Sequence, residues 1–104
     1  MEIKHSQSNN YTRGGAKNAI KAVSKLRIYA QSYWVRPLVH LTQHQRIVAV
    51  YVLSYQFGVS QQALSVLFKK SRTTIWKDLK SAELLERRPR FQSDARKLFQ
   101  YLIE

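Results

Sequence analysis

The sequence lacks cysteine and is poor in acidic residues, and both deficits limit the chemistry that the chain can perform. Without cysteine there is no disulfide framework and no thiolate metal site. Only 6 residues are Asp or Glu, against 18 Lys and Arg, and no acidic residue occurs between Ile3 and Lys77. Paired carboxylates for acid–base catalysis are therefore hard to assemble over most of the chain. We predict that the protein is not an enzyme.

The sequence also lacks the patterns of a membrane span, a signal peptide, a phosphate-binding loop and a metal site. The longest apolar stretch, Ile47 to Leu53, is far too short to cross a bilayer. The polar N-terminus lacks the apolar region of a signal peptide, so we expect a cytoplasmic protein with no membrane partner. Gly14-Gly15 precedes no Lys-Ser or Lys-Thr pair, which excludes a glycine-rich phosphate loop. His40 and His44 have no acidic or cysteine neighbour in sequence to complete a ligand set, so we predict no metal and no cofactor.

Positive charge is abundant and unevenly distributed. The formal net charge is +12, and twelve basic residues lie between Ile3 and Lys77. The last 27 residues are nearly balanced, with six basic and five acidic side chains. Unpaired positive charge of this size repels itself within a compact domain, so a polyanionic partner is expected. Nucleic acid fits best, because each neutralised phosphate releases counterions, and this predicts association with the nucleoid. A basic surface that only aids solubility is the alternative.

The hydrophobic pattern predicts a mainly α fold in a single domain of about five helices. Residues 1–15 are polar and contain Gly14-Gly15, which indicates a flexible N-terminal arm before a domain over residues 16–104. Pro37 ends the first helix. That helix, over residues 16–34, has a basic ridge at Lys17, Lys21 and Lys25, and its apolar face is Ala19, Val23, Leu26, Ala30 and Tyr33.

The second predicted helix is the expected core element. Thr42 and Gln45 have the spacing of a capping box, and Gly58 stands where a helix-ending glycine belongs. The β-branched run between them favours a strand on propensity alone, but its cap and its glycine favour a helix. A helix that is apolar nearly all round is usually central in its domain. Its expected inner positions are Ile47, Val50, Tyr51, Ser54 and Tyr55.

Three more helices are predicted. Ser60 can cap a helix through Phe68, and Ser71 can cap another through about Leu85. Their expected inward residues are Leu64, Leu67 and Phe68, then Ile75, Leu79 and Ala82. From Ser93 onward a helical stripe follows, formed by Ala95, Leu98, Phe99, Leu102 and Ile103. A β-hairpin over residues 85–104 is the alternative, and it would give a winged-helix variant at the C-terminus.

Two adjacent helices joined by a tight turn carry the functional motif. The motif is a set of residue types at fixed offsets. Leu64 is aliphatic and Ser65 after it is small, Phe68 faces inward at the end of the first helix, and Ser71 caps the second. Ile75 and Leu79 are the buried positions of the second helix. This segment resembles the bacterial helix-turn-helix signature. The likeness spans Leu41 to Arg90 and extends to winged-helix regulators and to the DNA-binding domains of replication initiators. Lys69-Lys70 replace the usual glycine and aliphatic residue of the turn, and a left-handed non-glycine residue costs roughly 1 kcal/mol.

The resemblance implies that the second helix of the motif lies in the major groove of DNA. The predicted base-contacting residues are Arg72, Thr73, Thr74, Trp76, Lys77 and Lys80, and Arg72 can bind guanine in a bidentate manner. Trp76 is expected either to pack half-buried against the first helix or to lie along the DNA backbone. The predicted phosphate-binding residues are Ser60, Gln61, Gln62, Lys69, Lys70, Ser71, Arg87, Arg88 and Arg90, the last three in a wing tip or a solvated loop.

The function implied is sequence-specific binding of double-stranded DNA by a transcriptional regulator. A homodimer is expected, because one recognition helix rarely supplies enough specificity and a dimer contacts two half-sites. A plasmid or phage replication or partition protein would use the same motif and is one alternative. A small basic ribonuclease toxin is another, and it would require a β-sheet.

Overall fold

The computed structural model describes residues 16–104, which form five α-helices and no strand. In chain order these are α1 (Ala16–Tyr29), α2 (Gln43–Phe57), α3 (Gln61–Phe68), α4 (Arg72–Leu85) and α5 (Pro89–Ile103). A π-helical turn, Ala30–Trp34, extends α1, and a 3-10 turn, Leu38–His40, precedes α2. The predicted mainly α class is confirmed. The predicted arm, residues 1–15, lies outside the described residues.

Helix α2 is the centre of the bundle. It packs against α1, α4 and α5 and also contacts α3, whereas α1 and α4 have few direct contacts with each other. The Thr42–Gln45 capping box is formed in both directions, and Gly58 ends the helix at φ 67°. The expected core helix is therefore confirmed, although Tyr55 remains 44% exposed. The buried residues of α2 are Ile47, Val48, Ala49, Val50, Val52 and Leu53.

Serine caps begin both helices of the motif, as predicted. Ser60 Oγ accepts the Ala63 N–H at 3.1 Å, and Ser71 Oγ accepts the Thr74 N–H at 3.1 Å. The predicted inward residues are buried except for Leu67, which is half-buried at the edge of the core. None of the described helices has the length and apolarity that crossing a membrane requires.

The C-terminal segment is a helix, so the hairpin alternative over residues 85–104 is wrong. Helix α5 also begins earlier than predicted, at Pro89 instead of near Ser93. The reason is that proline suits the first helical position, where its fixed φ is favourable and no N–H is needed. The earlier start brings Phe91 into the core. At the other end Ile103, which was expected to face inward, is 53% exposed in the last turn.

The inward position predicted for Tyr33 is also wrong, since its side chain is 64% exposed. The π-helical turn is wider than an α-turn, so the residues that follow Ala30 do not continue the α-helical face. Val35 then adopts a left-handed conformation at φ 53°, and the helical segment ends there. The buried face of this segment consists of Ala22, Leu26, Tyr29 and Ala30.

Candidate nucleic-acid interface

The turn between α3 and α4 has the left-handed geometry that glycine normally supplies. Lys69 adopts φ 54° and ψ 49°. The Lys69 N–H donates to the Val66 carbonyl at 3.3 Å, and the Lys70 N–H donates to the Ser65 carbonyl at 3.1 Å. The Ser65 hydroxyl donates to the Lys70 carbonyl, so Ser65 binds both the N–H and the carbonyl of Lys70 and holds the turn together. The turn therefore accepts the conformational cost of lysine, about 1–2 kcal/mol.

Helix α4 presents a continuous exposed face at its N-terminal end. Ile75, Leu79 and Ala82 are buried on the opposite side. Five of the predicted base-contacting residues are exposed together: Arg72, Thr73, Trp76, Lys77 and Lys80. Trp76 is 49% exposed, and the Lys80 ammonium lies 5.5 Å from the centroid of its ring. The indole therefore belongs to the exposed cationic face, where Lys80 contacts it by a cation–π interaction.

Thr74 is separated from this exposed face. Its side chain is half-buried, and its Oγ1 accepts a hydrogen bond from Ser71 Oγ at 3.0 Å. Ser71 Oγ also accepts the Thr74 N–H. Both hydroxyls are thus engaged in capping α4. Of the two threonines predicted to contact bases, Thr73 alone has its side chain on the exposed surface.

The only carboxylate between Arg72 and Lys80 is buried and neutralised. Asp78 is 2% exposed, and it accepts hydrogen bonds from Arg46 Nε at 2.6 Å and from Arg46 Nη2 at 3.0 Å. The hydrogen bond to Asp78 raises the pKa of Arg46, burial opposes that rise, and the charge of Asp78 adds to it. Consequently the exposed surface of the N-terminal half of α4 carries positive charge alone.

The remaining carboxylates of this region lie toward the C-terminal end of α4. The Tyr55 hydroxyl donates to Glu83 at 3.2 Å, and the Tyr51 hydroxyl donates to Glu86 at 3.3 Å. Burial raises the pKa of both phenols, and these carboxylates raise it further. Glu83 also lies 3.8 Å from Lys80, so Lys80 is partly neutralised. Among the described residues, Arg72 and Lys77 form no ion pair.

The predicted phosphate-binding residues near the motif lie at the two ends of α3. Ser60, Gln62 and Lys69 line one groove of about 680 Å³ between α1 and α3. Lys70 is exposed beside them in the turn, and Gln61 is half-buried in the first turn of α3. Ser71 lies at the start of α4, where its hydroxyl serves as the cap. The structure therefore brings Lys69, Lys70 and Ser71 to the N-terminal end of α4, whereas Ser60, Gln61 and Gln62 lie at the other end of α3, about 12 Å away.

The three arginines near Pro89 are placed elsewhere. Arg87, Arg88 and Arg90 are exposed at the junction of α4 and α5. The 14 residues of α4 span about 21 Å, which separates them from Arg72 at the other end of the helix. Arg87 lines a different groove, of about 510 Å³, between α2 and α5. The wing tip is wrong and the exposed loop holds for Arg87 and Arg88, the latter at the N-cap position of α5, while Arg90 lies in the first turn of that helix.

No family model, curated protein or solved structure matches the chain. Within residues 16–104, no group of three or more His, Cys, Asp or Glu side chains is placed to hold a metal ion. His44 contacts a residue far away in sequence, since its Nε2 lies 2.8 Å from Asp94 Oδ2 on α5. This contact joins the start of α2 to α5.

The Arg46–Asp78 pair was not predicted from the sequence, although the sequence does indicate that Asp78 is buried. Asp78 follows Ile75 by three residues and precedes Ala82 by four, so it occupies the buried face of α4. A carboxylate on an apolar helix face requires a buried partner. The identity of that partner was not predictable, because Arg46 is 32 residues away and is brought near by the packing of α2 on α4.

Proposed function

We propose that this protein binds double-stranded DNA sequence-specifically, with the N-terminal half of α4 in the major groove, and that it acts as a transcriptional regulator in the bacterial cytoplasm. One observation carries the proposal. From Arg72 to Lys80 the sole carboxylate is buried against Arg46, whereas Arg72, Thr73, Trp76 and Lys77 are exposed. An α-helix fits the major groove, and a cationic exposed face is what contact with duplex DNA requires.

Each part of the surface has a chemical role in this proposal. The Arg72 guanidinium donates two hydrogen bonds to guanine O6 and N7, and Thr73 and Trp76 make apolar contacts with thymine methyl groups. Lys77 and Lys80 contact bases or the backbone of the far strand. Lys69, Lys70, Ser60 and Gln62 hold phosphates at the edge of the groove and fix the orientation of α4. The sequence preference then arises from α4 and much of the affinity from the lysines.

Selection of binding sites from a random duplex pool tests the proposal. The wild type should enrich a defined sequence. Arg72→Ala should bind that sequence more weakly by about 1–3 kcal/mol and lose the preference at one base position. Arg96→Ala is the matched control, because Arg96 is an exposed arginine on α5 outside the motif. It should weaken selected and scrambled duplexes equally. If Arg72→Ala retains the wild-type preference, the assignment of the base-contacting face is refuted.

The selected sequences also test the expected homodimer. A symmetric dimer that uses two copies of α4 should enrich inverted repeats whose half-sites are about one helical turn apart, 10–10.5 base pairs. Sites without internal symmetry would contradict that expectation. The ribonuclease alternative rested on a β-sheet, and residues 16–104 contain no strand to support it.

A further inference from the structure

We infer that the buried Arg46–Asp78 pair is the positioning device that fixes the rotation of α4 about its own axis and thereby sets base preference. The inference rests on the proposed function. Asp78 is the only buried charged residue in the part of the chain that the structure describes. Its two carboxylate oxygens accept from two nitrogens of one guanidinium, at 2.6 and 3.0 Å. Arg46 contributes this guanidinium from the central helix, with 12% of its side chain exposed.

The geometry of the pair constrains rotation more than the apolar contacts do. A bidentate guanidinium–carboxylate contact is planar and directional, so it tolerates little rotation of the helix that carries the carboxylate. The neighbouring contacts on α4 are aliphatic, and aliphatic contacts have no preferred direction. The other polar links from α2 to this region are single hydrogen bonds of 3.2 and 3.3 Å made by exposed or half-buried tyrosines.

A small rotation of α4 would matter for base contacts. At a radius of about 6 Å from the helix axis, a rotation of about 15° moves a side-chain tip by about 1.6 Å. Such a shift breaks a bidentate hydrogen bond to a base, which needs donor–acceptor distances near 3 Å. Contacts of flexible lysines with phosphates tolerate the same shift, because an ammonium is a point charge on a long stem. The pair should therefore control specificity and leave nonspecific affinity nearly unchanged.

The pair is not needed to explain stability. Replacing a buried ion pair by apolar residues of similar volume is often neutral or stabilising, since desolvation of the two charges offsets their attraction. This makes a clean test available. The double variant Arg46→Met/Asp78→Leu removes one charge of each sign, so the formal net charge stays at +12. It leaves all exposed cations of α4 untouched.

The measured quantity is the ratio of affinities for a selected site and a scrambled duplex at one salt concentration. We expect the double variant to remain helical by circular dichroism and to lose about tenfold or more in this ratio, the discrimination of roughly one base contact. Its affinity for scrambled duplex should stay within about twofold of wild type. Tyr55→Phe is the control, because it removes another link between α2 and α4 and should leave the ratio unchanged.

Two outcomes would overturn the inference. One is a folded double variant with the wild-type ratio. If the double variant does not fold, Arg46→Lys decides, because lysine keeps the charge and loses the two-nitrogen contact; an unchanged ratio for Arg46→Lys then refutes the positioning role. A wild-type ratio of one is a different result, because it refutes the proposed sequence-specific function itself.

Discussion

Lys69→Gly separates the conformational cost of the turn between α3 and α4 from the charge that the turn carries. At φ 54° and ψ 49° Lys69 is in the left-handed region, which costs a non-glycine residue about 1–2 kcal/mol. Glycine removes this cost but loses about 0.5–1 kcal/mol more conformational entropy on folding. We therefore expect the free energy of unfolding to rise by about 0.5–1 kcal/mol, or roughly 2–5 °C in Tm.

The same substitution should weaken DNA binding. Lys69 is exposed at the end of α3, beside the start of α4, where the proposed interface meets the DNA backbone. Each lost phosphate contact lowers the slope of log affinity against log salt concentration by about 0.9. Lys69→Gly should therefore be more stable than wild type and bind duplex with a shallower salt dependence. Urea denaturation measures the first effect, and duplex titrations over a salt series measure the second.

Val35→Gly is the matched control for the conformational effect. Val35 has φ 53°, is 76% exposed, and carries no charge. Glycine at this position should also stabilise the fold, because left-handed conformations are especially unfavourable for β-branched residues, and the salt dependence should not change. A Lys69→Gly protein that is less stable than wild type would refute the strain argument. An unchanged salt slope would show that Lys69 contacts no phosphate.

Two further predictions concern stability. Ser71→Ala removes the acceptor of the Thr74 N–H and should lower the free energy of unfolding by about 1 kcal/mol, measured by urea denaturation; an unchanged value would contradict the capping role. The pKa values of Tyr51 and Tyr55 are raised, chiefly by burial, so the folded state holds their protons more tightly than the unfolded state. Their contribution is present below about pH 10 and is lost as pH rises through the raised values. Stability measured from pH 8 to 11 should fall less steeply in Tyr51→Phe/Tyr55→Phe, and an equal fall would contradict this.

Features that depend on a few neighbouring residues could be predicted from the sequence. The capping box of Thr42 and Gln45 and the caps at Ser60 and Ser71 each involve atoms no more than three residues apart. Gly58 likewise ends α2 through its own left-handed conformation. These signals located both ends of α2 and the starts of α3 and α4, and the helical spacing of apolar residues then identified the inner face of α4.

Features that depend on backbone irregularity or on distant partners could not be predicted. The π-helical turn places the side chain of Tyr33 on the surface, and no residue pattern in the sequence predicts such a turn. The start of α5 at Pro89 is ambiguous in the sequence, because proline both ends helices and favours a first helical position. The distance between Arg72 and Arg88 follows from the predicted length of α4, whereas the absence of a wing becomes known only once residues 85–104 are known to be helical.

The side chains of α2 account for how a chain of formal charge +12 keeps a purely cationic surface near the start of α4. Four of the five acidic side chains between Asp78 and Glu104 contact this central helix. The pairs are Asp94 with His44, Asp78 with Arg46, Glu86 with Tyr51, and Glu83 with Tyr55. These acidic residues therefore attach α4 and α5 to α2, and within residues 16–104 the cations of the turn and of Arg72–Lys77 form no ion pair. Because uncompensated charge destabilises a compact fold, a surface of this kind needs a reason to persist. Under the proposed function, neutralisation by DNA phosphates supplies one, and that proposal predicts that duplex binding stabilises the fold most at low salt.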